Sequence, residues 1–218
     1  MADKGRTVQL GADEAGRGPV MGPMVLCALA GEPEELAAIG VRDSKKLSPS
    51  RRNELFEQLH YVSKWEIHVV WPQEIDNAVN MSALNMLELT HFAQLLSLFD
   101  CPMAYVDAPD VDERRFSLEV SKLCGKLVVA EHRADERYPS VSAASIIAKV
   151  TRDRLIDGLK TELGSDFGSG YASDRKTVMF IEEYVARCGV LPPYCRHSWE
   201  TSRRILANSK IKNLEYFR

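Results

Sequence analysis

The chain opens with a short two-residue alternation: Thr7-Val8-Gln9-Leu10 alternates polar and apolar and predicts a strand. Met21 to Ala30 is almost continuously apolar and predicts a second, buried strand. Residues 31–40 are polar with interspersed alanines and predict a connection without defined form. Ser48-Pro49 marks a helix start, Ser48 as N-cap and Pro49 at the first helical position, with the helix running to about His60 and Leu55, Phe56 and Leu59 on one face. Alternation returns from Trp65 to Trp71, with Trp65, Ile67 and Val69 to one side and Glu66 and His68 to the other, and Pro72 ends that strand.

Ser82 to Phe99 carries a broad helical stripe of Leu84, Leu87, Leu89, Leu95, Leu96 and Leu98. Met103 to Val106 predicts a short buried strand ending at Asp107, followed by a helix from Asp112 to Leu123 and a strand from Lys126 to Ala130. Val141 to Leu163 is helical, first small and apolar, then charged. Gly164, Gly168 and Gly170 predict a loop, and helices follow over Asp174–Cys188 and Ser198–Asn208, separated by Pro192-Pro193. Strands first, then strand–helix–strand units, then a helical tail is a mixed α/β pattern. With no repeat and no shift in composition, one domain is expected over residues 1–218, its helical C-terminal extension, from about residue 174, packed on the rest.

Composition narrows the class. Of 218 residues, 45% are hydrophobic and 27% charged, ordinary for a globular protein. The longest apolar stretch, near Met24 to Ala30, is too short to span a bilayer, and the first residues lack a secretory pattern. Cys27, Cys101, Cys124, Cys188 and Cys195 are odd in number and show no C-x-x-C spacing, so neither a disulfide framework nor a structural zinc site is expected, and a reducing cytoplasm fits. The net charge of −3 does not announce a nucleic-acid binder, but its distribution says more. Arg42, Lys45, Lys46, Arg51 and Arg52 cluster around a single acid, Asp43, and residues 196–218 hold six basic residues against two acids. Two such segments can make a phosphate-binding face, or simply two solvated surfaces.

The candidate chemistry begins in Gly11-Ala12-Asp13-Glu14-Ala15-Gly16-Arg17-Gly18-Pro19. Adjacent strand residues point to opposite faces, so Asp13 and Glu14 converge only if the strand ends or bends there, which Gly16 and Gly18 would allow. Acids for a metal beside a glycine turn whose N–H groups and Arg17 can meet phosphate or sugar is a nuclease-like pairing. The string Asp-Glu-Ala-Gly-Arg-Gly-Pro resembles the signature of type 2 ribonuclease H (ribonuclease HII) in its archaeal and eukaryotic form.

Further along, Asp107 stands at the carboxyl end of an expected inner strand, where functional groups gather in open α/β sheets, and Asp112 is the better cap for the next helix. The resemblance makes Asp107 the third catalytic carboxylate. The block from Glu131 to Asp153, with Val-Ser-Ala-Ala-Ser-Ile-Ile-Ala-Lys-Val-Thr-Arg-Asp, is similar to the family's and makes Asp135 the fourth. Ser142 to Ala148 reads as close packing. Four gathered carboxylates would repel one another, and the family resemblance implies two hard divalent ions, Mg²⁺ or Mn²⁺, about 4 Å apart. His60, His68, His91, His132 and His197 are scattered, which argues against zinc.

Asp43-Ser44-Lys45-Lys46-Leu47 resembles a family segment near the substrate backbone, making Lys45 and Lys46 candidate phosphate contacts. Gly168-Ser169-Gly170-Tyr171-Ala172-Ser173-Asp174 matches the family loop whose tyrosine stacks on the deoxyribose beyond the ribonucleotide, while Gly16-Arg17-Gly18 would read the 2′-OH. Arg196-His197-Ser198-Trp199-Glu200-Thr201 resembles the segment opening the archaeal-type last helix and reads as packing, with Trp199 buried. Residues 210–218 loosely resemble sliding-clamp-binding tails of archaeal relatives, though their aromatics are out of register and a helix end is the alternative.

The resemblance implies a ribonuclease H-like α/β fold, a mixed five-stranded sheet flanked by helices. It implies an endonuclease that hydrolyses the RNA of RNA–DNA hybrids and cuts 5′ of single ribonucleotides in duplex DNA, leaving 5′-phosphate and 3′-hydroxyl ends. A monomer with no membrane partner is expected. A non-catalytic hybrid-binding module would lack a carboxylate, and a transposase-type enzyme would lack the Gly-Arg-Gly turn and the Tyr171 loop.

Overall fold

A computed structural model of the chain describes residues 7–41 and 47–215; Lys45 and Lys46 lie outside them. The chain resolves into two units, each built from separated stretches. One comprises residues up to Ala15, Val25–Val69 and Asn85–Thr151; the other comprises Gly16–Met24, Val70–Leu84 and the residues from Arg152 on.

The first unit holds the sheet. Its strands are β1 (Gln9–Ala15), β2 (Met24–Gly31), β3 (Ser63–Val70), β4 (Met103–Asp107) and β5 (Leu127–Glu131), in the order β3-β2-β1-β4-β5. β1 pairs antiparallel with β2 and parallel with β4, and β4 runs parallel to β5. This is the mixed five-stranded sheet expected. β1 is central and buried along nearly its whole length. It extends five residues beyond Leu10, because Gly11 to Ala15 continue the ladder with β2 although the sequence there no longer alternates.

Helices flank the sheet where local signals place them. Helix α1 (Pro33–Ala38) occupies the segment left without form by the sequence, buried through Leu36. Ser48 caps α2 (Pro49–Val62) by accepting from Arg51 N, as its sequence predicts. α4 (Leu84–Ser97) buries Leu89, Phe92, Leu95 and Leu96, whereas Leu98 lies past its end and is exposed. Asp112 caps α5 (Glu113–Cys124), and Gly125 closes that helix in the left-handed region. α5 also shields edge strand β5: the hydroxyls of Ser117 and Ser121 accept from Ala130 N and Val128 N, each at 2.9 Å.

The second unit contains α3 (Pro72–Asn80), α7 (Arg175–Cys188) and α8 (Glu200–Glu215). Pro72 both ends β3 and opens α3, since a proline that cannot extend a ladder is suited to a helix's first turn. Met21, Ile156, Phe167, Ile181, Val185 and Leu191 anchor its core. The long helix α6 (Pro139–Leu163) supplies residues to both units. Among the described residues no helix is long and apolar enough to cross a membrane, and all five cysteines are free thiols.

Candidate active site

In the sheet unit the period of β1 decides which side chains meet. Gln9, Gly11 and Asp13 share one face. At Gly11 a Cβ would lie 2.4 Å from Ser140 Oγ and from Val141 N, so only glycine admits the start of α6 against β1. Gln9 Oε1 fixes the same contact by accepting from Ser140 Oγ at 2.9 Å. Asp13 follows two residues on, beneath the same helix, and accepts a hydrogen bond from the hydroxyl of Ser145.

Parallel pairing brings in the second carboxylate. Ala12 is in register with Val106, so the next residue of each strand, Asp13 and Asp107, emerges side by side. The third comes from the turn after β5. Arg133 adopts φ 61° and starts a 3₁₀ turn, Ala134–Glu136, that carries Asp135. Ala134 N donates to Asp107 Oδ1 at 3.0 Å and ties this turn to the end of β4.

One oxygen from each of Asp13, Asp107 and Asp135 lies within 4.8 Å of the others. Asp13 and Asp135 are each only 4% exposed. Burial pushes the Asp13 carboxyl well above the ordinary aspartate range, and the charge of Asp107 pushes it further; the Ser145 hydroxyl and Glu14 N–H, which donates at 2.7 Å, oppose them. Three convergent carboxylate oxygens are the donor set a hard divalent ion takes. It is the one group of three or more possible metal-ligating side chains found among the described residues. Two of the histidines do meet, His68 Nδ1 and His91 Nδ1 at 2.9 Å, but as a pair.

Glu14 is not among the three. The ladder of β1 with β2 continues through both acids, with Asp13 opposite Cys27 and Glu14 opposite Leu26. Glu14 therefore starts from the other face of the strand.

The second unit holds the glycine turn and the Tyr171 loop. Gly16 takes φ 90°, and a Cβ there would lie 2.3 Å from Arg152 Nε and 2.7 Å from Pro23 O. Gly18 differs: it is exposed, has no positive φ, and a Cβ would meet nothing within 4 Å. Arg17 is half-buried. Val20 N and Met21 N both donate to Gly170 O, at 2.8 and 3.0 Å, which links the stretch after the turn to the Tyr171 loop. Asp174 holds that loop by accepting from Ser169 N and Ser169 Oγ, both at 2.8 Å, while its other oxygen caps α7. Tyr171 is 36% exposed, with the Arg152 guanidinium 5.2 Å from its ring centre.

Three residues read as packing or passed over prove to be structural partners of these loops. Arg152 is buried and donates to Pro23 O at 3.2 Å. Arg196 is fully buried and donates to carbonyls of the glycine turn, to Gly16 O at 2.5 Å and to Arg17 O at 2.7 Å. Burial, with Arg152 nearby, lowers its pKa to about 9, so it stays charged at neutral pH. Trp199, expected buried, is half-buried, and its indole N–H donates to Gly18 O at 3.0 Å. The Arg196–Thr201 motif was the available signal for two of them, and Ser145 was hidden in a small-residue run that reads equally well as close packing.

The sequence profile of the ribonuclease HII family matches residues 10–202. A ribonuclease HII of Pyrobaculum islandicum is 49% identical over 195 residues, covering 88% of this chain and 96% of that one. The crystal structure of ribonuclease H2 from Pyrococcus horikoshii OT3 superposes with a TM-score of 0.87 at 42% identity, covering 94% of this chain and 99% of that one. A structure of the PCNA:RNase HII complex from Archaeoglobus fulgidus gives 0.85 at 42% identity, covering 90% and 96%.

Proposed function

The chain belongs to the ribonuclease HII family, as a ribonuclease H-type hydrolase, and we propose that it cuts the RNA strand of RNA–DNA hybrids and the 5′ side of single ribonucleotides in duplex DNA. The observation that carries this reading is the trio of carboxylate oxygens within 4.8 Å, contributed by β1, β4 and the turn after β5.

Asp13, Asp107 and Asp135 would hold divalent metal, Mg²⁺ or Mn²⁺, with Glu14 as the fourth carboxylate, adjoining from the neighbouring strand position. Bound there, a pair of such ions supplies an activated water and charge neutralisation at the leaving oxygen. The chain's own residues do the rest. Ser145 holds the Asp13 carboxylate by a hydrogen bond. Ala134 N holds that of Asp107. The Gly16-Arg17-Gly18 turn reads the 2′-OH, and Tyr171 stacks on the adjoining sugar, whose missing 2′-OH permits close approach. Lys45 and Lys46 contact phosphates and make binding salt-sensitive.

Partners follow the same reading. The chain is taken to act as a monomer in the cytoplasm, and its tail from Lys210 is the segment to test against a sliding clamp, since the Archaeoglobus relative was solved as a complex with PCNA.

The test is cleavage of a duplex with one ribonucleotide against an all-DNA duplex, in Mg²⁺, Mn²⁺ or EDTA, with the cut mapped. Cleavage 5′ of the ribonucleotide, leaving 5′-phosphate and 3′-hydroxyl, is expected only with the ribonucleotide and metal present. Asp107→Asn is expected to abolish cutting while leaving duplex binding largely intact; a variant that cuts like the parent overturns the assignment.

A further inference from the structure

We propose that Arg196 and Trp199 are positioning residues for ribose selection: together they clamp the three successive carbonyls of Gly16, Arg17 and Gly18 and so fix the face that the turn offers to a 2′-hydroxyl. The inference rests on the ribonucleotide-cutting reading above and assigns it residues outside the turn itself.

The contacts are specific to the main chain. The guanidinium of Arg196 donates through Nη2 to Gly16 O at 2.5 Å and through Nη1 to Arg17 O at 2.7 Å. It also donates through Nε and Nη2 to Gly22 O at 3.2 and 3.1 Å, which holds the far end of the same stretch. Trp199 Nε1 takes Gly18 O at 3.0 Å, and the Arg196 guanidinium lies 4.8 Å from the centre of the Trp199 ring. One four-residue segment thus grips every carbonyl of the turn.

A trans peptide is planar, with its C=O and N–H pointing in opposite directions. No cis peptide occurs among the described residues. Holding the Arg17 carbonyl toward Arg196 therefore turns the Gly18 N–H away from Arg196. Gly18 is also the position where a Cβ would meet nothing within 4 Å and where φ is not positive. Among the described residues nothing requires a glycine there. A bare backbone with space above it and a fixed N–H fits a ligand that comes close, and a sugar hydroxyl is small enough to be read that way.

The clamp is itself anchored. Arg196 N donates to Val20 O at 2.8 Å and Gly22 N to Tyr194 O at 2.9 Å, so the segment pairs with the stretch it braces. Asp76 of α3 accepts from His197 N at 2.8 Å and from Ser198 N at 2.9 Å, which fixes the chain between the two clamping side chains. An arginine is needed at the first position because its planar fork spans two carbonyls at once; a lysine ammonium is a point donor and cannot hold both peptide planes.

The experiment uses the full-length chain carrying Asp107→Asn, so that substrates are bound and not cut. Affinity is measured for a duplex with one ribonucleotide and for the same duplex with the 2′-deoxy residue; their ratio is the selectivity. Arg196→Lys and Trp199→Phe are compared, with melting temperature, and Mn²⁺ affinity measured on the same variants with Asp107 intact, as controls. The expected result is a selectivity at least tenfold lower in Arg196→Lys and about threefold lower in Trp199→Phe, with affinity for the all-DNA duplex and for Mn²⁺ unchanged. Selectivity equal to the parent's in both variants overturns the proposal, as does an equal loss of affinity for both duplexes, which marks a purely structural role. If Arg196→Lys does not fold, Trp199→Phe alone decides. If the parent itself shows no selectivity, the ribonucleotide-cutting reading falls and this inference with it.

Discussion

Gly16 and Gly18 stand two residues apart in one turn, yet substituting alanine at each is expected to have opposite consequences. At Gly16 an alanine must adopt φ 90° and place its Cβ 2.3 Å from Arg152 Nε and 2.7 Å from the carbonyl of Pro23. The left-handed conformation alone costs an L-residue roughly 1–2 kcal/mol. Arg152 is buried and Pro23 O is main chain, so neither moves aside freely, and overpacking adds about 1–3 kcal/mol. A loss of about 3 kcal/mol lowers the melting temperature of a chain this size by roughly 6–12 °C. At Gly18 the new Cβ meets nothing within 4 Å and φ needs no glycine, so folding is unaffected or slightly favoured by the stiffer unfolded chain. Its melting temperature should stay within about 2 °C of the parent. What Gly18→Ala loses is approach by the substrate, worth about 10- to 100-fold in kcat/KM on a single-ribonucleotide duplex if one hydrogen bond in the transition state is spoiled. Thermal denaturation and steady-state cleavage on the two variants make the check. A Gly18→Ala protein that melts as low as Gly16→Ala, or that cuts like the parent, would refute the reasoning.

Other outcomes follow from the carboxylates and their supports. At an effective dielectric of about 20, two charges 4.8 Å apart repel by about 3.5 kcal/mol, so Asp13→Asn should raise the melting temperature in EDTA while abolishing cleavage; an unchanged or lower value would mean the trio is not strained without metal. Because the folded Asp13 pKa lies above its unfolded value, its favourable contribution holds below about pH 4 and is lost as pH rises, so this gain should shrink toward acid. Saturating Mg²⁺ at about 100 times its Kd should stabilise the parent by about 2.7 kcal/mol, or roughly 5–10 °C, and Asp13→Asn far less, as differential scanning calorimetry can show. Ser145→Ala removes a donor from Asp13 and should weaken Mn²⁺ binding about tenfold by titration calorimetry; unchanged affinity would reduce the hydroxyl to packing. Asp110 is 6% exposed and accepts from Asp112 N and Asn85 Nδ2, each at 3.1 Å, and from Arg115. Burial would raise its carboxyl, but those donors hold it below the ordinary range, so its stabilisation is present above about pH 4 and lost as pH falls through the folded value. Asp110→Asn should therefore melt lower than the parent at neutral pH and converge with it in acid.

Caps and paired acids are local chemistry, and the sequence by itself was enough for them. Ser48 and Asp112 cap their helices because a short polar side chain reaches an N–H only three residues away. Asp107 could be singled out because it ends an apolar strand and a better cap follows it, and the five-stranded fold came with the family motifs. Only the tertiary structure decided which acids converge. Strand register sets Asp13 beside Asp107, and the unbroken run of β1 leaves Glu14 outside the trio, although the two acids are neighbours in sequence. Tertiary structure also decided the partners of the glycine turn. Arg196 reaches Gly16 O across 180 residues of chain, and the acceptor is a main-chain carbonyl that every residue type carries. A contact of that kind leaves no spacing or composition to read, because one end of it has no side-chain identity at all.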